Sequence, residues 1–414
     1  MNKYFEQFEQ EFVDKLTKMI KAKPLSEQEK GVADLFIWQF EKMGVEHYRD
    51  EVGNVIAVIR GTKEGPTIMT NGHMDIVPEG NPEAWTKKPF DPEYIDGVLY
   101  GRGTSDMLSG LLSAFMAFRE VKKLVDDGAE LAGNLVFTGV VNEEPAESMG
   151  VIELMKESLP KYDIKPDFII IGEPTEGNIS CGQRGKVELV VDVYGKVAHS
   201  AVPWQGINAF TKAQPLIDAI TNNFFENPMV DPDVGPECMT ITDVELTPGR
   251  MYSCVPDKCS ITIDRRYILP HTIQYCIDQI QGAIDYLKAQ DPDFRAEVHQ
   301  RINRRGSYTG KYLDVAKQHP AWKTDLDNEF VVKTFAALRS VGQDPQVTYF
   351  KPGCDGSVTK GVYDIPTVGY SWQDGLYPHL PDERCVIADQ LKAVEGYTKV
   401  FCDMLGLDFG KFED

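Results

Sequence analysis

The chain has 414 residues, more than one ordinary hydrophobic core organises, so two domains are expected. Its 42% apolar and 26% charged residues fit a globular protein, while a net charge of −21 argues against nucleic acid or an anionic membrane surface as a partner. There is no apolar signal core at the N-terminus and the longest apolar run is 111–118; with eight scattered cysteines and no Cys-x-x-Cys pair, this predicts a cytoplasmic protein with reduced thiols.

Apolar residues spaced by three and four predict helices over 4–22 and 27–43. Extended segments follow at 54–60 and 66–71. Next come a helix from Ser109, a strand at 134–141, a helix near 147–157 and an apolar strand at 168–171. This alternation predicts a mainly parallel sheet flanked by helices. After Gly182 the order becomes strand 186–194, helix 208–225, strands 239–246 and 258–268, helix 272–287 and strand 296–302. That is the split βαβ pattern of a ferredoxin-like domain. Alternation resumes near Asn328. The expected architecture is an α/β catalytic domain of residues 1–182 and 304–414, interrupted by a ferredoxin-like α+β domain at 183–303.

Four extended runs end in residue types that bind metals: TIMTNGHMD (67–75), VFTGVVNEE (136–144), FIIIGEP (168–174) and TVGYSWQDGLYPH (367–379). GRGTSDM (101–107) adds Asp106 just before a helix. Taken singly, each piece is ordinary, and a lone His is more often structural than a ligand. Ligand sites in open α/β sheets lie beyond the carboxyl ends of the strands, so together the pieces are expected to converge. If Asp106 bridges two ions, each ion takes one His, one Glu and one Asp106 oxygen, with a shared water in the fourth place. Three carboxylates, two divalent ions and a hydroxide sum to zero charge. Such a pair of ions polarises a carbonyl and lowers the pKa of the water between them. Zinc suits these ligands; cobalt and manganese suit them too. Glu143 and Glu144 are adjacent and point in different directions, so one can bind metal while the other stays free as a base. Asp75 falls on the same strand face as His73, in place to hydrogen-bond the ring nitrogen that faces away from metal. No Gly-x-Ser-x-Gly elbow, His-Glu-x-x-His, phosphate loop or Gly-x-Gly-x-x-Gly competes.

GHMDIVP, GRGTSDM, NEE, GEPT, GKVAHSAVPWQGINA and HLPDE resemble, over nearly the whole chain, the motifs of one zinc-dependent family. It includes acetylornithine deacetylase, succinyl-diaminopimelate desuccinylase, aminoacylase and glutamate carboxypeptidase. The resemblance implies one metal on His73, Asp106 and Glu173 and another on Asp106, Glu144 and His379. It makes Glu143 the base, has Asp75 orient His73, and puts a cis peptide bond at Asp106–Met107. The inserted domain is implied to form a homodimer and to lend His199 to a substrate oxygen in the partner's site. Arg266 is implied to grip a substrate carboxylate by a two-pronged contact, with Arg265 structural. Asn208, in the signature opening that domain, and Gly353, in the GCDGS turn (353–357), are further candidate substrate contacts; a plain helix-start turn explains GCDGS as well.

The chain departs from the family at Leu108, where many members carry Lys, and at Asp382, where the last motif commonly has Asn. The overall look is nearest to a bacterial subgroup of hydrolases associated with selenium-linked metabolism. The implied function is metal-dependent hydrolysis of an N-acyl amino acid or short peptide, attacked by metal-bound hydroxide. The substrate is a small molecule with a free carboxylate. The alternatives are a dipeptidase or carboxypeptidase, a carbamoyl (ureido) amidohydrolase on the same site, or a catalytically silent small-molecule binder.

Overall fold

Strands Ala132–Val140, Lys63–His73, Phe168–Ile171 and Thr367–Tyr370 lie side by side in that order and run parallel. Most of their residues are buried, as suits parallel strands covered on both faces, and Phe168–Ile171 is an unbroken apolar run. Antiparallel strands flank them: Val55–Arg60 beside Ala132–Val140, Glu46–Arg49 beside that, and Ile179–Gln183 beside Thr367–Tyr370. This computed structural model describes residues 2–145, 147–223, 228–249 and 252–412.

Helices Leu108–Asp126 and Ile387–Leu405 pack on each other and on the strands Lys63–His73 and Ala132–Val140. Rings of Phe36, Phe40, Phe115 and Phe137 meet 5.2–6.2 Å apart between helices and sheet. Burying each such side chain contributes about 1.5–3 kcal/mol. The predicted first helix is two, Lys3–Glu6 and Glu9–Lys21, and the second begins only at Lys30. Three short strands carry too few residues for a period to show: Glu93–Ile95, Val98–Tyr100 and Arg384–Val386 form a separate small sheet.

The chain divides into two units, one of residues 1–182, 304–313 and 323–414, the other of residues 183–303 and 314–322. In the second, strands run in the order Cys238–Thr247, Lys258–Tyr267, Gly185–Tyr194 and Arg295–Gln300, every pair antiparallel. With helices Ala209–Asp218 and Ile273–Gln290, this is the ferredoxin-like order that the sequence pattern predicts. Val187, Leu189, Val191 and Val193 alternate inward and join Leu216, Ile263 and Ile280 in a core of their own. Residues 314–322, expected in the first unit, belong here because Gln318–His319 pairs with Gly185–Tyr194. The predicted helix end at 224 and 225 lies outside the described residues. None of the eight cysteines forms a disulfide. Among the described residues, no helix is long and apolar enough to cross a membrane.

Candidate metal centre

His73 ends its strand, and Glu143, Glu144 and Glu173 follow the ends of the strands on either side. Parallel neighbours finish at the same sheet edge, so the four residues meet there. His73 Nε2 lies 3.2 Å from Asp106 Oδ1 and 3.6 Å from Glu173 Oε1. His379 Nε2 lies 3.3 Å from Asp106 Oδ2 and 3.0 Å from Glu144 Oε2. The two oxygens of Asp106 thus face two different imidazoles, each with its own Glu. His73, Asp106 and Glu144 offer ligand atoms within 4.8 Å of one another, and so do His73, Glu143 and Glu173. Proximity therefore does not set Glu143 apart; partners do. Glu144 and Glu173 each sit against an imidazole nitrogen, and Glu143 has no such pair among the described residues.

Two expectations are corrected. His73 Nδ1 bonds to the main-chain oxygen of Asp75 at 2.8 Å, while the nearer Asp75 carboxylate oxygen stands 3.6 Å away. The strand ends at His73, so the alternation that would align residues 73 and 75 has already stopped. Asp75 turns its carboxylate to the Ser26 hydroxyl and to the backbone amides of Glu143 and Glu144. Asp106–Met107 is trans; among the described residues the cis bonds are Thr247–Pro248 and Leu269–Pro270. Asp106 reaches both imidazoles from the trans form.

His379 is not at a strand end: its strand stops at Tyr370, and the residue sits in a loop with φ +63°. The small sheet places it. Tyr100, which leads into the Asp106 loop, pairs with Arg384, which follows His379, and Gly101 N donates to Glu383 O. Glu383, fully buried, accepts from the amides of Ser105 and Asp106 and from Arg102 at 2.7 Å. Arg102 donates onward to the main-chain oxygens of His379 and Leu380. Asp382 accepts from the amides of Thr86 and Lys87 and from the Thr86 hydroxyl, so both its oxygens pin that loop. Leu108 is fully buried, which suits the apolar residue found there. Gly110 lets the helix meet the Glu173 turn: a Cβ there would lie 2.1 Å from Gly172 O. We expect Arg102→Met to cost about 3 kcal/mol in urea unfolding, because Glu383 is left as a buried, unpaired charge. A cost under about 1 kcal/mol would show that the ion pair does not hold these loops.

The electrostatics call for cations. Burial, reinforced by Glu173, Asp355 and Glu144, pushes the Glu143 carboxyl well above its usual range against the pull of His73. Burial and then Asp106 do the same to Glu173 and lift Glu144 to about 7. Burial would raise Asp106 too, but His379 and His73 hold it below the carboxylate range. Hydrogen bonds to Asp106 and Glu144 lift His379 to about 10. Glu144 Oε1 is buried with no hydrogen-bond partner. Carboxylate and imidazole donors crowded in this way fit divalent ions.

The other predicted residues lie in the second unit or in the 353–357 turn. His199 is exposed on the two-residue strand Ala198–His199, and its Nδ1 accepts from Ala201 N. Arg266 pairs with Asp264 at 2.7 Å. Arg265 is buried against Glu237 and Gln279, as a structural role requires. Asn208 caps the helix Ala209–Asp218, its side-chain oxygen accepting from Phe210 N and Thr211 N. Gly353 is half-buried. Two residues further on, Asp355 is buried and lifted to about 6, chiefly by that burial, and accepts from Asn71 at 2.7 Å. Asp355, Arg102, Ser26 and Glu29 carry no motif of their own in the sequence; for Asp355 the signal is a carboxylate inside a glycine turn.

The chain matches the family model described as Peptidase family M20/M25/M40 over residues 69–403. It is 29% identical over 360 residues to the "Uncharacterized protein YgeY" of Escherichia coli strain K12, covering 86% of this chain and 85% of that one. It is 28% identical over 275 residues to a succinyl-diaminopimelate desuccinylase of Marinobacter nauticus, covering 64% and 70%. A dinuclear metal-binding peptidase of Bacillus subtilis, YXEP, superposes with a TM-score of 0.69 over 96% of this chain and 98% of its own, and at 14% identity this likeness speaks for the fold alone. The match over residues 69–403 spans the candidate ligands from His73 to His379, and with it the chain belongs to peptidase family M20/M25/M40, whose chemistry is metal-dependent hydrolysis of amide bonds.

Proposed function

We propose that this chain is a dinuclear zinc amidohydrolase acting on an N-acyl amino acid or a short peptide with a free carboxylate. One observation carries this reading: the two oxygens of Asp106 face two imidazoles, each paired with a different Glu. His73, Asp106 and Glu173 would hold one ion, and Asp106, Glu144 and His379 the other. Bound there, the ions supply carbonyl polarisation and a more acidic water. Glu143 takes the proton of the attacking water and passes it to the leaving nitrogen. Arg266 and, on the other unit, Gly353 are each a candidate contact for a substrate carboxylate. The ferredoxin-like unit mediates a homodimer and lends His199 to the substrate oxygen. The cytoplasm is where its free thiols stay reduced.

Zinc-loaded protein should bind about two ions per chain and release a carboxylic acid from a panel of N-acetyl amino acids or an amino acid from dipeptides. Ammonia and carbon dioxide from N-carbamoyl amino acids would move the assignment to a ureido hydrolase. Fewer than about one ion per chain at saturating zinc, with no hydrolysis, would overturn the reading in favour of a silent binder.

A further inference from the structure

Three consecutive amides follow the end of strand Ala132–Val140 and its next residue: Asn142, Glu143 and Glu144. Each of them donates to a buried carboxylate. Asp75 takes Glu143 N at 3.1 Å and Glu144 N at 3.2 Å, and Glu29 takes Asn142 N at 3.1 Å. Asn142 is left-handed, with φ +54°, so the turn is a shape the chain does not adopt by default. Glu29 is 0% exposed at the start of helix Lys30–Met43, and its Oε2 has no hydrogen-bond partner. Three residues earlier, the Ser26 hydroxyl donates to Asp75 Oδ2 at 2.7 Å. The spacing Ser26-x-x-Glu29 has the form of a helix capping box, yet neither side chain closes one. Glu29 has no capping hydrogen bond on its helix; its Oε1 accepts locally from Glu27 N at 3.1 Å and at a distance from Asn142 N, while Ser26 reaches the turn through Asp75. The segment is itself fixed to the sheet edge, with Leu25 bridged to Ile76 and Ile76 N donating to Pro24 O. All of it precedes residue 69, where the family match begins.

We propose that Glu29, with Ser26, is a positioning residue of the reaction: it holds the Asn142–Glu144 turn so that Glu143 faces the water and Glu144 faces the metal. This rests on Glu143 being the base. Adjacent residues in a loosened turn would let the two carboxylates exchange directions, and a misplacement of about 1 Å in a proton-transfer group costs on the order of 10²-fold in rate. Burial and the nearby Asp75 lift Glu29 to about 8. A glutamine keeps a side-chain oxygen in place to accept from Asn142 N.

The test compares Glu29→Gln, which keeps the acceptor, with Glu29→Met, which keeps the volume and loses it. Glu143→Ala and Ser26→Ala run alongside. All are zinc-loaded full-length chains, assayed on the N-acetyl amino acid or dipeptide that wild type cleaves. We expect Glu29→Gln within about 3-fold of wild type. Glu29→Met should lose about 30-fold or more in kcat with KM and zinc content unchanged. Amide exchange read by mass spectrometry should rise in the peptide covering 141–148 for Glu29→Met and stay at the wild-type level for Glu29→Gln. Ser26→Ala should lose about 3- to 10-fold in kcat. Equal kcat and exchange in Glu29→Met and wild type would overturn the proposal, as would a Glu29→Gln variant as impaired as Glu29→Met. If Glu29→Met does not fold, unchanged kcat and exchange in Ser26→Ala overturn it. An active Glu143→Ala would instead sink the base assignment on which the inference stands.

Discussion

Glu143→Ala will abolish turnover while leaving both metal ions in place. The side chain is buried at the sheet edge beside His73 and Glu173, yet it makes no close pair with either imidazole, whereas its neighbour Glu144 does. Its removal therefore takes away the proton acceptor and spares the ligands. We expect kcat to fall by about 10³-fold with zinc content unchanged by elemental analysis. Glu143→Gln should behave alike, because an amide keeps the shape and cannot take the proton. More than about a tenth of wild-type rate in either variant would remove Glu143 as the base.

Asp106→Ala will lose both ions, where His379→Ala will lose one. Asp106 is shared between the halves through separate oxygens, so no substitution elsewhere in the cluster has the same reach. Elemental analysis should give close to no zinc for Asp106→Ala and about one ion for His379→Ala. An Asp106→Ala chain that still holds about two ions would refute the bridging arrangement. A pH dependence follows for the metal-free protein. Its histidines are raised, His379 to about 10, so their contribution to stability is full below the unfolded pKa of about 6.5 and is lost as pH rises. Its raised carboxyls, Glu143, Glu144 and Glu173, bind protons more tightly folded than unfolded, so they too favour the fold less as pH rises above about 4.5. Both effects have one sign. The rise in melting temperature on adding zinc should be larger at about pH 8 than at about pH 6, and absent in Asp106→Ala. Equal shifts at the two pH values would contradict the charge pattern.

The parallel strands are legible because their buried stretches are short and largely apolar, Phe168–Ile171 without a break. His73 and Glu173 were legible for the same reason, as polar residues set just past such runs. The ferredoxin-like unit showed through the alternation of Val187, Leu189, Val191 and Val193. His379 left a weaker trace, since a loop and a pairing of Tyr100 with Arg384 place it, and three-residue strands carry no period. Asp75 does not take the place that strand alternation assigns it, because the strand stops at His73. Glu29 was invisible: a Ser-x-x-Glu before an apolar helix has an ordinary local explanation, and only the distant Asn142 amide shows otherwise.

The small sheet that joins Val98–Tyr100 to Arg384–Val386 also sets an order of assembly. During synthesis His73, Asp106 and Glu173 have all left the ribosome long before His379, which follows about 10–40 s later at ordinary rates of elongation. One ion's ligand set can therefore mature on the nascent chain, while the other waits for the C-terminal segment to return and pair. A chain stopped short of residue 379 keeps four of the five candidate donors, His73, Asp106, Glu144 and Glu173, and lacks the one that the pairing of Tyr100 with Arg384 brings back.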